Sequence, residues 1–312
     1  MDRIICIVGP TASGKTGLSV ALAKALDAEI ISCDSMQIYR GMDIGTAKVM
    51  PDEMNGVIHH MIDIADPREE FSVSRFVEMA DRCLQDILSR GKYAVIVGGT
   101  GLYIDSLIAG RSFAPYPSTG KRQELEALAA REGIEAVIRM LEPVDPESAR
   151  RLHPSDQKRI IRAMEVWLET GKSITQHNEE TKKIPPKYRP IWLGLDFNRR
   201  EDLYDRINLR VDMMMQAGLM DEIRRLLDQG LPERATSLQA IGYKEALSCL
   251  RGEMTADEAA DEIRQASRRY AKRQLTWFRK NRDVHWIFRD AGTDPAEVFS
   301  LALQIVSEFD KG

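Results

Sequence analysis

Eight consecutive residues, Gly9, Pro10, Thr11, Ala12, Ser13, Gly14, Lys15 and Thr16, fit the pattern G-x-x-x-x-G-K-[ST]. In such a P-loop the glycines let backbone N–H groups converge on phosphate oxygens, and the following helix adds the positive end of its dipole. Lys15 would bring a mobile positive charge, and the Thr16 hydroxyl would meet Mg²⁺ directly or through water. The competing reading is a chance glycine turn. The apolar run Ile4–Val8 before the loop and the helical pattern after it argue against that. Asp34 directly follows a second apolar segment, residues 29–33, at the strand end where open α/β sheets bind ligands. Position alone leaves three roles open for it: catalysis, organisation of Mg²⁺, or a solvated turn. A third apolar segment ends in Gly98, Gly99, Thr100 and Gly101 with no acid at its tip. Nucleotide hydrolysis generally needs a carboxylate there to organise metal and water, so a motor ATPase is disfavoured.

These groups need a scaffold, and the pattern of the chain supplies one. Residues 3–8, 29–33 and 93–97 read as buried strands, and 59–64 as a short one. Helices are expected from about Lys15 to Leu26 and over 72–90, opened near Ser72 or Ser74 and closed by Gly91. Alternating strands and helices imply parallel βαβ units, an α/β fold with a P-loop NTPase-like core. From 112 to 188 the texture is helical with Pro- and Ser-rich loops, and 185–190 reads as a connector. Strand texture returns at 191–197 and 284–288. The chain is therefore read as a core of residues 1–111 and 189–312, interrupted by a mostly helical insertion at 112–188. Asn198 with Glu201, and Thr255 with Glu258, look like capping boxes, the second opening a helix to about Asn281. Gly230 and Pro232 close another helix.

The bulk properties narrow the class. The 312 residues suffice for one large core and a smaller unit. No apolar run approaches the roughly 20 residues of a membrane span, and the first residues lack a secretory pattern. Cys6, Cys33, Cys83 and Cys249 are scattered without a CxxC pair, so neither zinc nor a disulfide framework is indicated, and a cytoplasmic location is expected. The net charge of −4 argues weakly against nucleic acid, but local clusters matter more.

Seven segments in order carry a closer resemblance: Gly9–Thr16, DSMQIYRGMDIGTAK at 34–48, HHMID at 59–63, GGTGLY at 98–103, DQKRIIRA at 156–163, QAIGYKE at 239–245 and RRYAKRQLTWF at 268–278. Together, and over nearly the whole chain, they resemble the bacterial tRNA dimethylallyltransferases, the isopentenyl-diphosphate:tRNA transferase family. The resemblance implies transfer of a dimethylallyl group from its diphosphate to the exocyclic amine of the adenine 3′-adjacent to the anticodon. The P-loop would then hold a departing diphosphate, which explains why no water-activating acid follows the 94–97 segment. It further implies Mg²⁺ as cofactor, the tRNA anticodon stem-loop and dimethylallyl diphosphate as partners, and a monomer. The zinc finger of some eukaryotic relatives has no counterpart Cys/His set here.

The chemistry has its own logic. An adenine amine is a poor nucleophile, and its attack on carbon builds positive charge that a nearby base should relieve. The resemblance implies that Asp34 is this base, that Thr100 positions the reacting groups, and that Arg210 joins Lys15 in stabilising the diphosphate. For Arg210 the residues alone favour a surface salt bridge with Asp205 or Asp212. Reaching the base requires flipping it out of the loop. By resemblance it lies against Asp34, Ser35, Met36 and Gln37, with Thr46 and Lys48 continuing the wall. Resemblance also places tRNA contacts near Gln123 and at Gln157, Lys158, Arg159, Ile160 and Ile161, and Gln239 and Gly242 are counted with them. Lys158, Arg159 and Arg162 share a predicted helix with 158 and 162 on one side, and Lys272 and Arg273 belong to a basic C-terminal helix. The helix around Arg268–Arg282 concentrates positive charge in an acidic protein and is read as contacting phosphates, with Tyr270, Trp277 and Phe278 left in the core. The pair His59 and His60 should point apart on a strand, which disfavours a metal site. Three competing readings share parts of this pattern: a small-molecule or nucleotide kinase, a prenyltransferase acting on free adenine nucleotides, and a non-catalytic RNA-binding switch.

Overall fold

In a computed structural model, described for residues 2–111 and 119–310, six strands form one parallel sheet. They are β1 (Ile4–Val8), β2 (Ala28–Cys33), β3 (His59–His60), β4 (Tyr93–Gly98), β5 (Ile191–Phe197) and β6 (Val284–Arg289), in the order β3-β2-β4-β1-β5-β6. Every residue of β1, β2 and β5 is buried, which is why these strands read as runs rather than alternations. The short β3 has a local cause. Met61 and Asp63 adopt left-handed φ values of 66° and 54°, which break the ladder two residues into the expected strand.

Connections set the site. From β1 the chain crosses through helix Lys15–Ala25 towards β2, while from β4 it passes through helix Gly101–Ala109 and returns towards β5. With right-handed crossovers these helices lie on opposite faces. The adjacent strands β1 and β4 therefore open a crevice at their carboxyl ends, between the loops that follow them. Helix Lys15–Ala25 shares a core with Val298, Ala302 and Val306 of helix Pro295–Asp310. On helix Val73–Ser89, capped by the Ser72 side chain, Phe76 stacks on Tyr103 with centroids 4.2 Å apart.

The chain divides into two compact units, one of residues up to 110 and from 187 onward, the other of residues 111–186. The second unit holds helices Lys121–Glu132, Ile134–Leu141, Pro146–Arg151, Gln157–Thr170 and Ile174–Lys182, and among its described residues there is no strand. Its own core gathers Leu125, Val137, Leu141, Ile160 and Met164. Buried Asp145 fastens two of its helix starts, accepting from the Ser148 N–H at 3.1 Å and the Thr175 hydroxyl at 2.7 Å.

Two local expectations need comment. Thr255 and Glu258 form the capping box of helix Ala256–Phe278. Asn198 and Glu201 do not form one. Asn198 donates to Asp290 at 3.0 Å instead, and helix Arg200–Gln216 begins at Arg199 without a side-chain cap.

Candidate active site

The loop after β1 is built for close approach. Gly9 has φ 146°, and a Cβ there would lie 2.5 Å from the Leu195 carbonyl oxygen. Gly14, with φ 90°, is the residue from which helix Lys15–Ala25 starts. Lys15 folds back over the loop, donating to the carbonyls of Gly9 at 3.0 Å and Pro10 at 2.6 Å. Its surroundings push its pKa down to about 7, chiefly by desolvation and then by the Arg210 charge, with Asp34 opposing. Thr16 lies exposed in the first turn of the helix.

Asp34 stands just past β2. One carboxylate oxygen accepts from the N–H groups of Met36 at 2.8 Å and Gln37 at 3.3 Å, an Asx turn that fixes the side chain and leaves the second oxygen free of such bonds among the described residues. Thr100 ties the neighbouring strand ends together: its N–H reaches the Cys33 carbonyl at 3.3 Å, and its hydroxyl accepts from the Ser35 N–H at 3.2 Å. Tyr270 also faces this point, and burial, then the Asp34 carboxylate, push its phenol up to about 12.

Arg210 overturns the salt bridge read from its sequence neighbours. Asp212 pairs instead with Arg264. The Arg210 guanidinium donates to the Thr46 carbonyl at 3.3 Å, and burial lowers its pKa while Asp34, then Glu53, act to raise it. Lys15, Arg210 and Asp34 thus feel one another electrostatically although they lie far apart in sequence.

Two residues that sequence reasoning missed hold the site's walls. Gln274, buried on helix Ala256–Phe278, accepts from the Thr11 N–H at 2.8 Å and donates to the Gly99 carbonyl at 3.0 Å, bridging the two loops of the crevice. Glu222 is 1% exposed and accepts from the N–H groups of Asp43, Ile44 and Gly45 and from the Tyr243 hydroxyl. It thereby shapes the segment carrying Thr46 and Lys48. Its signal was present: Glu222 shares one helix stripe with Leu219, Ile223 and Leu226, where a lone acid must find partners.

Other expected residues fall into two groups. Gln123, Gln157, Lys158 and Arg159 are exposed on the helical unit, and Gln239, Lys272 and Arg273 on the core unit. Arg162 is spent on Glu165 at 2.7 Å. Ile160 and Ile161, at 0% and 6% exposure, point into the helical core, because consecutive helix positions cannot all face outward. Lys48 is buried, its ammonium held by Asp43, Asp63 and the Tyr39 carbonyl, so it braces the wall from behind. Gln37 donates to the carbonyls of Thr46 and Ala47. The buried Gly242 N–H is taken by Glu245 at 2.8 Å. Trp277 was expected in the core. It is 40% exposed, donates to Asp105 at 2.9 Å and lies against Gly101, where a Cβ would approach its ring to 2.3 Å. Phe278 is buried as expected. His60 serves Glu29 at 2.8 Å, a structural pairing at the sheet edge.

Comparison with known proteins settles the ancestry. The family described as IPP transferase matches residues 37–281, and the one described as isopentenyl transferase matches residues 2–68. The chain belongs to the IPP transferase family. Among this family's members, a tRNA dimethylallyltransferase of Geobacillus thermodenitrificans is 48% identical over all of this chain and 97% of its own. One from Bacillus cytotoxicus is 48% identical over 95% of this chain and 93% of its own. The crystal structure of a tRNA isopentenylpyrophosphate transferase from Bacillus halodurans matches with a TM-score of 0.72 and 42% identity, over 100% of this chain and 99% of that one. A eukaryotic dimethylallyltransferase acting on tRNA matches with a TM-score of 0.84 and 27% identity, over 99% of this chain and 80% of that one. An IPP transferase is an enzyme that moves a prenyl group, and the crevice must be judged against that chemistry.

Proposed function

We propose that this chain transfers a dimethylallyl group from dimethylallyl diphosphate to the exocyclic amine of the adenine following the anticodon in tRNA, releasing diphosphate. The observation that carries this reading is the convergence of one carboxylate, Asp34, with two partly desolvated cations, Lys15 and Arg210, at the carboxyl edge of the sheet. A transferase with an anionic leaving group needs this pairing: a base where the nucleophile loses its proton, and positive charge where the leaving group departs.

The reaction follows in balanced form. The amine nitrogen attacks the first carbon of the dimethylallyl group as the carbon–oxygen bond to the diphosphate breaks. The bonding pair leaves with the diphosphate oxygen. The loop Gly9, Pro10, Thr11, Ala12, Ser13, Gly14, Lys15 and Thr16 cradles that group, with Pro10 supplying shape and the Thr11 and Ser13 N–H groups tied to Gln274 and to the Pro10 carbonyl as its frame. Lys15 exchanges its two loop carbonyls for phosphate oxygens, and Arg210 turns from the Thr46 carbonyl to the developing charge. Asp34, held by its Asx turn with one oxygen free, takes the amine proton. Thr100 keeps the Asp34 strand end in register with the β4 turn and reaches the same space.

The site suits Mg²⁺ in a limited way. Thr16 offers one hard hydroxyl oxygen, and among the described residues no three His, Cys, Asp or Glu side chains group as a metal cage. An ion held there would take its other ligands from the diphosphate and water, and would neutralise leaving-group charge.

On the RNA side, Asp34, Ser35, Met36 and Gln37 would receive the flipped adenine, with Thr46 beside them and Lys48 bracing from within. Gln157, Lys158 and Arg159, with Gln123, are the exposed contacts of the helical unit. Gln239, Lys272 and Arg273 are those of the core, where Gly242, with φ 97°, supplies a backbone shape that a side chain would strain. The protein would act as a monomer. Incubation with radiolabelled dimethylallyl diphosphate and unmodified tRNA tests the reading. Label on the tRNA, mapped to the adenine beside the anticodon, supports it. Label on free nucleotide, or phosphoryl transfer to a small acceptor, replaces it.

A further inference from the structure

Two arginines beside the loop have no part in the chemistry above. Arg289 ends β6, level in register with Phe197, and is 8% exposed. Its guanidinium lies against Gly14, where an added Cβ would come within 2.8 Å of Nη1. Its Nε is buried without a hydrogen-bond partner. Arg206, on helix Arg200–Gln216, donates to the Ala12 carbonyl at 2.9 Å. The two guanidiniums sit over the same Phe197 ring, at 5.3 and 5.9 Å from its centroid. Burial, then the Arg206 charge, lower the pKa of Arg289.

This arrangement is costly as it stands. Two like charges share one ring, and one of them is buried against a helix N-terminus, which already carries partial positive charge. The acids nearby are engaged elsewhere. Asp202 faces Arg199 and the Ala291 N–H, and Asp290 takes the Asn198 amide. Among the described residues neither guanidinium is ion-paired with a carboxylate. The arginine pair also meets the loop at a different point from the cradle lysine: Arg206 grips the Ala12 carbonyl and Arg289 lies against Gly14, whereas Lys15 holds the Gly9 and Pro10 carbonyls.

We propose that Arg206 and Arg289 form a second anion subsite beside the Gly9–Thr16 loop, which takes one phosphate group of an oligophosphate whose other end lies in the loop. This rests on the phosphate-binding reading of the loop. A small oligophosphate fits better than an RNA backbone, because a guanidinium with 8% exposure is within reach of a chain end but not of a duplex surface.

Titration calorimetry with inorganic pyrophosphate and inorganic tripolyphosphate, in the presence of Mg²⁺, tests it on the wild type, Arg289→Leu and Arg289→Lys. The wild type should bind tripolyphosphate on the order of tenfold more tightly than pyrophosphate, the worth of one charge-assisted contact. Arg289→Leu should lose that preference while pyrophosphate affinity stays within about twofold, and Arg289→Lys should keep part of it. A wild type that binds both equally overturns the subsite and leaves the loop reading intact. A wild type that binds neither overturns both. A preference that survives Arg289→Leu, or a variant that loses only tRNA affinity, also rejects the subsite.

Discussion

Lys15 carries a titration that function should feel. With its pKa lowered to about 7, it is close to half-charged at neutral pH before any anion arrives. A bound diphosphate raises that pKa by favouring the ammonium, so between the two values binding takes up a proton. Calorimetry of pyrophosphate binding in buffers of different ionisation enthalpy should show uptake approaching one proton near about pH 8 and close to none near about pH 5.5, where Lys15 is already charged. Uptake independent of pH would remove Lys15 from the contact. Arg210 is a second case in which context outweighs sequence. Its neighbours Asp205 and Asp212 invite a surface pair, yet the side chain turns to the Thr46 carbonyl and Asp34. Arg210→Met should cut the turnover of dimethylallyl transfer by roughly 10²–10³-fold, the range of losing one preorganised charge donor. An unchanged turnover would return Arg210 to a structural role.

Elements place these residues through contacts between distant segments. The 34–48 segment takes its shape from Glu222, 174 positions beyond Lys48 at its end by sequence number. Three backbone N–H groups and one phenol converge on that single carboxylate. Replacing it with glutamine leaves at least one buried donor unpaired. Glu222→Gln should therefore lower stability by on the order of 2–4 kcal/mol, read by thermal or denaturant unfolding. A melting temperature equal to that of the wild type would show that the 43–45 amides find other partners. Gln274 performs the analogous task for the crevice, joining the loop after β1 to the turn after β4. A Cβ at Gly99 would lie 1.9 Å from the Gln274 amide nitrogen, so this glycine serves close packing of helix on turn.

For the whole molecule, the legible part of the sequence was the local part. The Gly9–Thr16 loop, the buried strands and the Thr255 capping box depend on near neighbours, and periodicity reveals them. Arg206, Glu222, Gln274 and Arg289 act through partners more than 170 positions away, or across the sheet, and no spacing rule announces that. The strand expected at 59–64 is present only as the two-residue β3, because left-handed backbone at Met61 and Asp63 ends it; Asp63 carries a turn tendency, but Met61 does not announce its own. The inward Ile160 and Ile161 show the reverse error: a resemblance covers a segment, whereas a helix shows only some of its positions to a ligand. The exposed Lys158 and Arg159 are the testable remainder. Replacing both with alanine should weaken tRNA binding and reduce the slope of log K against log salt by about 1–2. An unchanged slope would remove the helical unit's basic face from the interface. The central claim is that Asp34 is the base of a prenyl transfer to tRNA. Single-turnover transfer of labelled dimethylallyl from its diphosphate to unmodified tRNA, by wild type and Asp34→Asn at saturating concentrations of both substrates, addresses it most directly. The account predicts labelled tRNA from the wild type and a rate lower by roughly 10²–10⁴-fold in the variant, with both substrates still bound. A variant that transfers the label at nearly the wild-type rate would contradict it.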